Sequence, residues 1–320
     1  MPFSRHRLWW KQPDLTGLTW NDLGQQESET TIHSLAYLEN GIALAGTSPR
    51  GKIFRSTDYG QTWQDLGSQA GASGILSLAY LQNGIALAGT QQNGKILRST
   101  DHGETWNDLG TQASQTRIYS LAYLGNGIAI AGTFNNGKIL RSTDYGETWN
   151  DLGTQASQII ILSLAYLGNG IALAGTYDDG KILHSTDYGA TWSDLGQLDE
   201  ETFIYALAYL ENGIALAGTY ANGKIFRSTD YGLTWTDLGQ QASEPTIYSL
   251  AYLENGIALA GTHDNGKIFR STDYGATWSD LRTQASQTHI YSLAYLGHSI
   301  ALAGTSADGK ILRSPKPPGW

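Results

Sequence analysis

A strict 43-residue period, four short β-patterned runs inside each period, and a glycine-bearing turn between successive runs predict an all-β fold. Together they specify a seven-bladed β-propeller of four-stranded antiparallel blades. The period is set by Ser142-Thr143-Asp144-Tyr145-Gly146-Glu147-Thr148-Trp149. Near copies stand at Ser56 to Trp63, Ser99 to Trp106, Ser185 to Trp192, Ser228 to Trp235 and Ser271 to Trp278. No window carries a 3.6-residue period, which excludes a helical solenoid.

One period shows how the elements are read. Ile118 to Leu124 is rich in β-formers and apolar on both alternating faces, the pattern of a strand covered on both sides. Asn126-Gly127 tolerates positive φ at both centres of a type I′ turn. Ile128 to Thr133 is the second strand, with large residues on one face and small ones on the other, where a second backbone comes close. Asn136-Gly137 turns the chain into a third strand, Lys138 to Ser142. The fourth is expected over Thr148 to Leu152, carrying Trp149.

First strands begin at Ile32, Ile75, Ile118, Ile161, Ile204, Ile247 and Ile290. Fourth strands are expected around Trp20, Trp63, Trp106, Trp149, Trp192, Trp235 and Trp278. Trp20 precedes every first strand, and the last unit has no fourth strand of its own. Its tail holds Pro315, Pro317 and Pro318, which cannot donate to a ladder. Gly17 to Leu23 is therefore expected to supply the outer strand of the last blade, closing the ring and removing an open sheet edge. The organisation that follows is an extension over 1–16, one propeller domain over 17–314 and a proline-rich tail over 315–320. Trp9, Trp10 and Trp320 fall outside the repeat and are candidates to cap the ring or plug its channel.

The bulk chemistry removes several function classes. A net charge of −9 is opposed to a nucleic-acid surface, which needs basic stripes. With no cysteine, neither disulfides nor thiolate metal sites are available. No apolar run has the length of a membrane span or of a signal peptide. The expectation is a soluble, monomeric ring, leaning to the cytoplasm, without cofactor or metal.

Ser-x-Asp-x-Gly-x-Thr-Trp resembles the Asp-box of bacterial-neuraminidase-type (BNR) repeats in the sialidase-like superfamily, over Gly17 to Ser314. Six copies are complete; in the seventh, Gly17, Thr19 and Trp20 match but Leu15 replaces the aspartate. The resemblance implies that Asp58, Asp101, Asp144, Asp187, Asp230 and Asp273 are structural and lie away from any active site. It also implies what a sialidase would need: three clamping arginines, a tyrosine–glutamate nucleophile pair and an acidic proton donor. The Phe/Tyr-Arg-Ile-Pro motif of those enzymes is missing, and they have six blades. Arg55, Arg98, Arg141, Arg227, Arg270 and Arg313 recur blade by blade, so they cannot converge. Arg50, Arg117 and Arg282 break the repeat but belong to distant blades. No paired carboxylates stand out for glycoside hydrolysis. A non-catalytic chain is expected.

Where near-identical blades differ, the differences are informative. They fall in the 2–3 loops, such as Phe134-Asn135-Asn136, Tyr177-Asp178-Asp179, Tyr220-Ala221-Asn222 and His263-Asp264-Asn265. They also fall at the ends of the connections into the first strands, including Arg117, Phe203 and His289. In an up-and-down blade these two places share one face, and loops on a rigid scaffold carry recognition. Phe134, Tyr177, Asp178, Asp179, Tyr220, His263, Arg117 and Phe203 are thus the ligand-binding candidates, with aromatic faces suited to sugar or peptide. Lys52, Lys95, Lys138, Lys181, Lys224, Lys267 and Lys310 follow the variable loops, either as a ring favouring an anionic partner or as solvated edge charges. The sequence therefore predicts a binding scaffold, multivalent through its repeated blades, for a glycan or protein surface. The alternatives are an interaction factor resembling photosystem II assembly-factor propellers and a glycosidase of the sialidase superfamily.

Overall fold

The computed structural model describes residues 19–314, and all regular secondary structure among them is β: 28 strands in groups of four. The expectations for residues 1–18 and 315–320, including Leu15, Trp9, Trp10 and Trp320, lie outside the described residues. Five groups are separate four-stranded antiparallel sheets with strands in chain order. In the third unit these are Ile118–Gly125, Ile128–Thr133, Lys138–Ser142 and Asn150–Thr154. The remaining eight strands form one sheet in which the first and last units are joined by a single bridge, Thr31 to Ser306.

The N-terminal strand Asn21–Gln25 pairs antiparallel with the last strand, Lys310–Arg313, matching Asn21 to Arg313 and Gln25 to Lys310. The outer strand of the last unit thus comes from the other end of the chain. First strands of successive units are neighbours, and Thr31–Glu39 adjoins His289–Tyr295 in the same way.

Burial explains this packing. Leu38, Leu44 and Ile53 of the first unit meet Ile75, Ala86, Ala88 and Leu97 of the second in one apolar cluster. Comparable clusters form at each later junction and between the last unit and the first, where Ile32 and Phe54 meet Leu296, Leu302 and Ile311. Each sheet therefore buries both faces, which is why first and second strands read apolar throughout. Asn126 and Gly127 both have positive φ, 53° and 77°, as a type I′ turn requires.

The fourth strand departs from expectation. It begins at Asn150, so Trp149 precedes it. Asp144 Oδ1 accepts the Thr148 amide at 2.9 Å, which holds the turn through that residue. The Trp149 ring folds back to donate from Nε1 to Gly146 O at 3.2 Å. The ladder starts only afterwards, with Asn150 opposite Arg141.

Candidate functional site

The Asp144 turn is a closed hydrogen-bond system. Its carboxylate accepts from Thr148 N, from Glu147 N at 3.1 Å and from Ser142 Oγ at 2.7 Å. Ser142 Oγ in turn accepts the Gly146 amide at 2.9 Å. Burial pushes the Asp144 carboxyl up, but the bonds from Thr148, Ser142 and Glu147 outweigh it and hold the group below its ordinary value. Asp58, Asp101, Asp187, Asp230 and Asp273 make the same contacts to their own Ser and Thr. Each turn is also tied to the preceding unit. Arg98 Nε donates to Tyr145 O at 2.9 Å, Arg141 Nε to Tyr188 O at 2.8 Å, and Arg313 Nε to Tyr59 O at 2.8 Å. His184 reaches Tyr231 O at 3.2 Å in place of an arginine. Arg55, Arg98, Arg141, Arg227 and Arg313 are thus occupied between units.

The lysines are occupied too, which corrects both readings given to them. Lys138 Nζ lies 2.6 Å from Asp151 on the adjacent strand. Lys95, Lys181, Lys224, Lys267 and Lys52 pair likewise with Asp108, Asp194, Asp237, Asp280 and Asp65. Lys310 takes Asp22 from the N-terminal strand, at 2.8 Å. They are neither an open cationic ring nor free edge charges.

The recognition geometry arises from a repeated bulge. In each unit the ladder between first and second strands shifts register after the leading isoleucine, as between Ile118 and Ser120. The intervening residue is turned out of the ladder toward the centre. His33, Leu76, Tyr119, Leu162, Tyr205, Tyr248 and Tyr291 all occupy this place. With Thr31, Ser48, Gln91 and Arg117 they line one cavity of about 480 Å³. Beneath it, Leu35, Leu78, Leu121, Leu164, Leu207, Leu250 and Leu293 line the continuation of the channel.

This funnel is aromatic and uncharged over much of its wall. Tyr248 stands between Tyr205 and Tyr291, with ring centroids 4.5 Å from each. Burial, then the neighbouring phenols, push its hydroxyl well above the usual range, and burial raises Tyr205. Both stay protonated hydrogen-bond donors. Burial pulls His33 down to about 4, so its ring is neutral, 3.0 Å from Ser48 Oγ.

The residues expected from sequence surround the mouth in three groups. Arg117 lies over the Phe134 ring at 4.8 Å, and its Nη1 donates to Tyr119 OH at 2.9 Å. Phe203 stacks on Tyr177 at 4.1 Å and contacts Tyr220 at 4.9 Å, while Tyr220, 39% exposed, reaches Tyr205 at 5.8 Å. His263 stacks on His289 at 3.7 Å and on Tyr248 at 5.5 Å. Asp178 is exposed beside the second group. Asp179 is turned away from it, accepting from Gln158 Nε2 at 3.2 Å and lying 3.7 Å from Lys181. Among the described residues, His263, Asp264 and His289 bring metal-ligand atoms within 4.8 Å of one another.

Sequence reasoning missed the inner ring. Its signal was present, because the second residue of each first strand changes among His, Leu and Tyr while its neighbours hardly change. Only the bulge reveals that this position faces the channel.

No protein-family model matches the chain, and no curated protein sequence matches it significantly. Solved structures do. YCF48 bound to D1 peptide is 19% identical, with 92% of this chain and 96% of that one covered at a TM-score of 0.72. The WD40 propeller domain of Doa1 is 14% identical, covering 94% and 99% at a TM-score of 0.74. A catalytically inactive virginiamycin B lyase from Staphylococcus aureus, with quinupristin, is 12% identical, covering 92% and 98% at 0.80. At these identities the likeness shows the fold alone: the chain folds as a β-propeller.

Proposed function

We propose that the seven units form a closed seven-bladed ring that acts as a non-catalytic binding scaffold, engaging a protein partner through the funnel on its variable face. The observation that carries this is the aromatic cavity of about 480 Å³, to which all seven units contribute a first-strand residue. Its phenol donors and ring faces suit an extended peptide segment, which presents carbonyl acceptors and apolar side chains together. The neighbouring structure of YCF48 bound to D1 peptide supports a propeller of this shape serving as an interaction factor. Among the described residues, the funnel lining includes no carboxylate, whereas glycoside hydrolysis needs two. That supports a binding role over a glycosidase of the sialidase superfamily with an Asp-box.

The junctions differ around the rim: Arg117 with Phe134, Tyr177 with Phe203, His263 with His289. We read this as one asymmetric site rather than identical pockets. A second reading, glycan recognition, is favoured by Tyr220, whose exposed ring offers a platform for an apolar sugar face.

The test is capture of interacting proteins by the full chain and by Tyr205→Leu/Tyr248→Leu. Leucine already occupies the equivalent places at Leu76 and Leu162, so the variant is expected to keep its melting temperature. Loss of a specific protein partner in that variant supports the reading; unchanged capture overturns it. Glycan-array binding lost in Tyr177→Ala/Tyr220→Ala, with no protein captured, would favour the second reading.

A further inference from the structure

The imidazoles of His263 and His289 lie face to face, with centroids 3.7 Å apart and planes within 11°. Asp264 completes the group. Its Oδ1 is 2.6 Å from His263 Nδ1, and its backbone N–H donates to His289 Nδ1 at 3.0 Å. We propose that His263, Asp264 and His289 form a binding site for a divalent transition-metal cation at the rim of the funnel. Each residue contributes one ligand atom, and the remaining positions are open to solvent or to a donor from a partner. Nothing in this depends on what the funnel itself takes.

The donor set selects the metal class. Two imidazoles and one carboxylate suit zinc, nickel, cobalt or copper, whereas magnesium and calcium prefer oxygen throughout. Three protein ligands with an open position match zinc sites that retain an exchangeable ligand. A metal takes imidazole in its neutral form, so uptake should weaken as the pH falls through the ordinary histidine range. Bound cation charge would be offset by the Asp264 carboxylate.

The other junctions show that packing does not require these histidines. One junction holds Tyr177 against Phe203, stacked at 4.1 Å, with Asp178 in the place of Asp264. The next holds Tyr220 near Thr246. The ring stack is thus available from side chains that cannot ligate, and His263 with His289 adds nitrogen donors to it. Both rings are held from the funnel side, His263 by Tyr248 at 5.5 Å and His289 by Tyr291 at 5.7 Å, and their near-parallel planes must turn apart for both in-plane lone pairs to meet one cation.

The experiment is a calorimetric titration of the full chain with Zn²⁺, paralleled by the visible absorption of bound Co²⁺. Saturable uptake of one equivalent, with a raised melting temperature, is expected. His263→Tyr/His289→Phe copies the Tyr177–Phe203 stack and should fold normally while weakening Zn²⁺ at least about a hundredfold. Asp264→Asn, which leaves both rings in place, should weaken it about tenfold. Absence of one-equivalent binding overturns the site. So does undiminished affinity in either variant, which would place the metal on other histidines.

Discussion

Glu201 and Asn222 meet where two units join, Asn222 Nδ2 donating to Glu201 Oε1 at 3.2 Å. One junction earlier the same contact is made with the roles exchanged: Gln158 Nε2 donates to Asp179 Oδ2, also at 3.2 Å. Glu244 with Asn265 repeats the first form, and Gln287 with Asp308 the second. Each of these junctions holds one acid and one amide beside a lysine. Glu201 and Glu244 are almost wholly buried, so a second carboxylate there would be poorly solvated.

Asn222→Asp alone should therefore destabilise the chain by about 1–3 kcal/mol, the cost of opposing two acids where a hydrogen bond stood. Lys224 is already engaged by Asp199, Asp237 and Glu201 and has no further charge to offer. Adding Glu201→Gln rebuilds the Gln158–Asp179 arrangement and should restore most of the loss. Denaturant unfolding of the three variants forms a double-mutant cycle, and additive losses would refute the pairing.

Gly132→Ala should cost about 1–3 kcal/mol by overpacking. A Cβ there would sit 2.7 Å from Ile161 Cγ2 of the next unit, at a backbone conformation open to any residue. Ser120→Ala in the same chain removes the Oγ that would lie 2.5 Å from that Cβ and should recover part of the loss. A melting temperature unchanged by Gly132→Ala would show that the junction can relax.

These two sites show what the sequence made legible. Glycine at Gly132, opposite bulky neighbours, announced the close approach of another strand, and the count of Trp20 before Ile32 announced the pairing of Asn21–Gln25 with Lys310–Arg313. The candidates Phe134, Tyr177, Tyr220, His263, Arg117 and Phe203 do gather on one rim, because loop positions follow from blade topology. Tyr205, Tyr248 and Tyr291 did not stand out, since strand alternation alone cannot say that a bulge re-aims them. Asp179 did stand out as a rim candidate, but pairing with Gln158 of the connection before its unit, which loop position alone does not reveal, turns it away.

Asp144→Ala removes an acceptor used by Ser142, Glu147 and Thr148 and should lower stability by about 2 kcal/mol. Because the folded carboxyl titrates below its unfolded value, its contribution is present above the ordinary carboxylate range. It is lost only as pH falls through the lower folded value. Wild type and variant should thus converge in strongly acidic solution, and a constant gap down to that range would contradict the assignment.

Removing residues 1–25 deletes the strand that pairs with Lys310–Arg313 and the Asp22 partner of Lys310. The bared ladder edge should promote association, read by light scattering, with a lower melting temperature. Asp22→Asn keeps that strand and removes only its ion pair with Lys310, so it should lower the melting temperature less and leave association unchanged. Equal behaviour of the truncation and Asp22→Asn would show that the ladder pairing contributes nothing.

His33 provides the pH test. Its ring faces Ser48 Oγ and the edge of Tyr291, and in the folded chain it titrates at about 4 against a usual 6.5. Between those values the unfolded chain takes up a proton that the folded chain refuses, so stability falls as pH drops from 6.5 toward 4. At about 1.36 kcal/mol per pH unit the ceiling is about 3 kcal/mol, and solvent reaching the partly exposed ring lowers it. His33→Leu copies Leu76 and Leu162 and should flatten the profile across that window while preserving the fold. If the variant loses stability with acid as steeply as the parent, the neutral histidine in the funnel wall is not the group responsible.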